Sequence, residues 1–123
     1  MRALLLTGVA VIVSIAPAAA APAAGSVLAP NDIQSTFFTG QPFTSATPSN
    51  VKFKMVFTAD GKMTREPAAQ SPGAKGEGTW KLTKEGFCTT WKGSTANCFR
   101  VIAAGDNKWS IMKGTTVVAT WTK

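Results

Sequence analysis

The stretch Phe87-Cys-Thr-Thr-Trp-Lys-Gly-Ser-Thr-Ala-Asn-Cys-Phe-Arg100 holds both cysteines of the chain, one of its four tryptophans and a Gly-Ser turn signal near its middle. If its two arms pair about a centre near Gly93, Cys88 faces Cys98 and Phe87 faces Phe99. Successive residues of a strand point to opposite faces, so this register sets the sulfurs on one side of a sheet and the aromatic rings on the other. Directly opposed residues lie within disulfide reach, which makes the pairing self-consistent. The stretch reads as a hairpin closed by one disulfide.

Outward from this hairpin the turn signals recur at regular intervals: Lys84-Glu-Gly86, Gly93-Ser94, Gly105-Asp-Asn107 and Gly114-Thr115. Between them lie candidate strands over 87–92, 97–104, 109–113 and 116–122. Upstream, Val51, Phe53, Met55 and Phe57 alternate with Lys52, Lys54, Val56 and Thr58, as a strand with one buried face requires. Asp60-Gly61 makes a tight turn into a strand over 63–66. Residues 67–76 lack periodicity and form the longest loop, and a strand resumes over 77–83 with Trp80 and Leu82 on one face. Near the start, Asn31 and Asp32 are placed to cap a short helix that carries Ile33 and Phe37 on one side and is stopped by Gly40 and Pro42. Short strands without helical intervals predict a mainly β fold: a small antiparallel β-meander forming a barrel or strongly bent sheet, with one short N-terminal helix.

Residues 1–20 begin with Met1-Arg2, continue through the apolar run Ala3 to Ala16 and end in small residues, with an Ala-x-Ala at Ala18 to Ala20. That is the three-part layout of a signal peptide. The apolar run is shorter than the roughly 20 residues that span a bilayer. The expectation is export to the periplasm or beyond, cleavage after Ala20 and no membrane span once the leader is removed. Residues 21–30 read as a flexible lead-in, and 31–123 as a single β-barrel-like domain, expected to be monomeric. An oxidising compartment suits the disulfide, which contributes about 3 kcal/mol on the chain-entropy account. Without Arg2, twelve of the thirteen Lys and Arg remain against six Asp and Glu. Outside the cytoplasm such a surface favours an anionic envelope component over nucleic acid.

The chain contains no histidine and no tyrosine. This excludes Ser-His-Asp and Cys-His catalysis and histidine metal sites, and the disulfide consumes the only thiols. Asp32 reads as a helix cap, and Asp60, Glu85 and Asp106 sit in or beside turns. Glu66 and Glu77 flank the longest loop and are the one arrangement open to acid/base work. The expectation is therefore no enzyme, no catalytic residue, no metal and no cofactor. Lysines beside tryptophans, as in Trp80-Lys81 and Lys108-Trp109, read as aromatic-in and lysine-out, because neighbours on a strand face opposite ways. Phe53, Phe57, Trp91 and Trp109 are candidate lining for a small apolar ligand. Lys52, Lys54, Lys81 and Arg100 are a candidate anion-binding surface.

The order Gly78-Thr-Trp80, Phe87-Cys-Thr-Thr-Trp91, Cys98-Phe-Arg-Val101 and a closing strand with Trp109, all after Phe57-Thr-Ala-Asp-Gly61, resembles a family of small exported bacterial proteins defined by a domain of unknown function. The resemblance covers about residues 31–123; it implies a lipocalin-like or calycin-like β-barrel and supplies no activity. A weaker resemblance joins Gly78-Thr-Trp80, Cys88 and Cys98 to exported inhibitors of bacterial metalloproteases. Those are disulfide-linked eight-stranded barrels whose N-terminal segment enters the protease cleft. Here the Gly-x-Trp sits deep in the chain and the cysteines are closer together than in the inhibitors. The reading is an exported non-enzymatic protein with a ligand-binding or envelope-interaction role, with inhibition of a metalloprotease as the alternative.

Overall fold

The computed structural model describes residues 24–123, together with Gly8 and Ala10. The expected leader and the first part of the lead-in otherwise lie outside the described residues. One helix, α1 (Pro30–Phe37), precedes eight strands: β1 (Phe43–Ala46), β2 (Lys52–Phe57), β3 (Lys62–Pro67), β4 (Gly76–Leu82), β5 (Phe87–Trp91), β6 (Asn97–Gly105), β7 (Lys108–Lys113) and β8 (Thr116–Thr122). Each strand pairs antiparallel with the next, and β1 returns to β8 through Thr44↔Thr122 and Ser45↔Trp121, which closes the barrel. The mainly β meander with one short N-terminal helix is thus realised in its closed form. Closure leaves no row of unpaired amides along a first or last strand.

The expected hairpin register holds. Phe87 opposes Phe99 and Cys88 opposes Cys98, and the two cysteines form a disulfide with their Cα atoms 3.9 Å apart. The rings of Phe87 and Phe99 lie inside, 5.4 Å apart. On β2, Met55 and Phe57 are buried while Lys52 and Lys54 are exposed, as the alternation demands.

Three features depart from expectation. Strand β1 has no counterpart among the expected strands, because four residues after Pro42 offer too little alternation to register; Phe43 and Ser45 nevertheless turn inward and are buried. The helix starts one residue before the expected cap. Ala29 is its N-cap, Pro30 supplies the preset φ of the first turn, and Asn31 and Asp32 lie within the helix without capping it. Asp32 instead places its negative charge near the positive end of the helix dipole. The helix ends at Phe37, where the Phe38 N–H donates to the Gln34 carbonyl.

The third departure concerns the lead-in. Gly25 and Leu28 donate to the carbonyls of Ala103 and Val101, Ala103 donates back to Ser26, and Val27 bridges to Ile102. Pairing of β5 with β6 stops at Phe87↔Phe99, so β6 beyond Phe99 has a free edge on that side. Residues 25–28 cover that edge and bury Leu28, which brings them into the folded unit.

Helix α1 plugs one end of the barrel. Ile33, Phe37 and Phe38 are almost wholly buried. Phe37 meets Trp109, Trp121 and Phe43 edge-on at 4.8 to 5.1 Å. Phe38 stacks on Phe57 at 4.7 Å and tilts against Trp80 at 4.3 Å. The Trp80 indole N–H donates to the Thr58 carbonyl at 2.8 Å, so its one polar group is satisfied.

Candidate binding site at the open end of the barrel

Consecutive antiparallel strands send their connections alternately to the two ends of the barrel. Loops 58–61, 83–86 and 106–107 therefore lie at the helix end, and loops 47–51, 68–75, 92–96 and 114–115 at the other. At this second end no helix fills the lumen. Small inward residues, among them Ser45, Thr89 and Ala119, leave a cavity of about 240 Å³. Its floor is the underside of the aromatic cluster, formed by Phe57, Phe87 and Trp121, and its walls include Phe53, Met55, Trp91 and Phe99.

One lining residue is cationic. On β3 the inward positions are Met63, Arg65 and Pro67, opposite Phe57, Met55 and Phe53 of β2. Arg65 thus enters the mouth of the cavity, with its guanidinium carbon 4.6 Å from the Trp91 ring centre and 5.1 Å from that of Phe53. Such cation–π contacts contribute about 0.5–2 kcal/mol, the more the drier the site. The Nε of Arg65 is buried and has no hydrogen-bond partner. Among the described residues the ion pairs are Lys54–Glu66 at 3.3 Å and Lys92–Glu77 at 3.4 Å, so no carboxylate pairs with Arg65. Gly76 of the neighbouring strand makes room for it, since a Cβ there would lie 3.1 Å from Nε.

Of the sequence-derived apolar candidates, Phe53, Phe57 and Trp91 converge on the cavity. Trp109 does not. It packs on Phe37 at the helix end, because the β6–β7 turn beside it lies at the opposite end from the β5–β6 turn beside Trp91. Arg65 went unread, although counting by two from Met63 places it inward.

The four basic candidates are not gathered into one patch. Lys52, Lys54 and Lys81 are exposed on outer faces, and Lys54 is engaged by Glu66. Lys54 aligns with Glu66 of β3, whereas Lys81 lies two residues beyond Thr79, the partner of Lys62 at the other end of that strand. Those two levels are about 20 Å apart along the barrel. Arg100 donates from Nη2 to the Gly114 carbonyl at 2.7 Å. Glu66 and Glu77, the one pair open to acid/base work, each hold a lysine on the outer surface. Asp60 does serve its turn: it accepts from the Thr58 hydroxyl, a bond that holds its carboxyl below the ordinary value of 3.8, with Lys62 adding to the effect.

No group of three or more potential metal ligands exists among the described residues, and none of their helices is long and apolar enough to cross a membrane. No family model, curated protein or solved structure matches the chain at a significant level.

Proposed function

We propose that the chain is an exported, monomeric, non-enzymatic binding protein of lipocalin-like kind that takes a small apolar or amphiphilic molecule into the open end of its barrel. The supporting observation is the apolar cavity of about 240 Å³, walled by Phe53, Met55, Trp91 and Phe99 and floored by Phe57. Its size is below the roughly 300–1,000 Å³ of sites for drug-sized ligands, so the occupant is a small molecule or a short chain. Protease inhibition has no comparable support, since residues 25–28, part of the arm that would enter a cleft, are bonded to β6.

The test is titration of the protein with 1-octanol and with octanoate, followed by calorimetry and by the emission of Trp91 at the mouth. Saturable one-to-one binding of either compound is expected. Ala119→Trp, which fills the lumen with an indole, should abolish it while the far-ultraviolet circular dichroism stays native. Absence of saturable binding by both compounds would overturn the reading.

A further inference from the structure

We propose that Arg65 recognises the carboxylate of a single-chain amphiphile whose tail occupies the cavity, so that the ligand is a short fatty-acid-like anion and not a neutral apolar molecule. The inference rests on the cavity being a binding site, as argued above. Among the residues that line it, Arg65 is the only charged one. An arginine at the mouth of an apolar lumen normally finds a carboxylate on the protein, because burying unpaired donors is unfavourable. Here it finds none: Nε is buried without an acceptor, and neither ion pair of the described residues includes it.

What holds the guanidinium in place is aromatic. The faces of Phe53 and Trp91 lie 5.1 and 4.6 Å from its central carbon. Ring contacts use the flat faces of a guanidinium and leave its N–H donors, which lie in the plane, free to bond. Those donors match the two oxygens of a carboxylate, and the rings restrict the side chain before the anion arrives. The neighbouring loop supports this placement. Gly73 approaches so closely that a Cβ there would lie 2.7 Å from the Phe53 ring, and a Cβ at Gly76 would crowd Nε at 3.1 Å, so the bare backbone there is what lets the guanidinium lie against β4. Behind the guanidinium the walls are mostly hydrocarbon, Met55, Ile111 and Val118 among them, and the polar groups there are the neutral hydroxyls of Ser45, Thr47 and Thr89, which offer no second charge to a head group. Cation at the rim and hydrocarbon within is the complement of an amphiphilic anion.

The competing reading is that Arg65 merely closes the mouth by stacking on two rings. Calorimetric titration of the full chain with octanoate and 1-octanol at pH 7 and fixed salt separates the two. Octanoate should bind about tenfold or more tightly than octanol, the discrimination that a charge-assisted hydrogen bond supplies. In Arg65→Gln that preference for octanoate over octanol should vanish. Equal affinities in the unmodified protein, or an undiminished preference in the variant, would overturn the role of Arg65 and leave the cavity reading standing. Failure of both compounds to bind would overturn both. If the variant does not fold, the Nε–H resonance of Arg65 decides the matter: it should shift downfield with octanoate and not with octanol, and an unmoved resonance at saturating octanoate would sink the proposal.

Discussion

At position 86 a methyl group has no room. A Cβ on Gly86 would lie 2.0 Å from the Phe99 carbonyl oxygen, where β6 passes beneath the turn between β4 and β5. Gly78 is constrained in the same way by the Thr90 carbonyl at 2.3 Å. In both cases the neighbour is backbone and cannot swing aside, unlike the tip of a flexible side chain. Gly86→Ala is therefore expected to destabilise the fold by about 1–3 kcal/mol, the usual range for overpacking, read as a lower urea midpoint with an unchanged slope. Glycine at 86 reads in the sequence as a turn signal, and only the closeness of β6 reveals the steric reason for it. Arg65 poses the same difficulty from the other side. A lone charged residue in an alternating strand reads as solvent-facing, and its inward position follows from the burial of Met63 two residues earlier.

Among the elements, the β5–β6 hairpin was the most legible, because two independent signals agree on one register. The cysteine positions and the Phe87–Phe99 match both require pairing about Gly93. Replacing both cysteines, Cys88→Ala with Cys98→Ala, should lower stability by about 3 kcal/mol on the chain-entropy account while the strand content is kept. Urea unfolding of the double variant against the oxidised parent checks this, and an unchanged midpoint would refute it. Strand β1 was illegible for a physical reason. Four residues span about two alternations, and its pairing with β2 and β8 is what stabilises it. The helix start was misplaced because Asn31 and Asp32 are strong capping types, while Pro30 just ahead of them is equally suited to a first helical position.

In the whole molecule the two barrel ends have different roles. One is sealed by α1 and eight or more ring contacts centred on Phe37, Phe38, Phe57 and Trp121; the other keeps a lumen. Phe38→Ala should cost about 3–5 kcal/mol, since a fully buried ring in contact with Phe57, Trp80 and Phe87 would leave a cavity. Thermal unfolding measures the loss, and a change below about 1 kcal/mol would show that the helix does not seal the barrel. The sequence by itself determined the β class, the inward faces of most strands and the one disulfide register. These follow from alternation along a strand, a property of the local backbone. Only the tertiary structure decided that the helix fills the end where Trp109 lies and leaves the end of Trp91 open, and that Arg65 meets Phe53 and Trp91 at one mouth. Those placements depend on how many strands the barrel has, where β1 closes it and which end the helix fills, and all three are set by contacts between residues far apart in the chain.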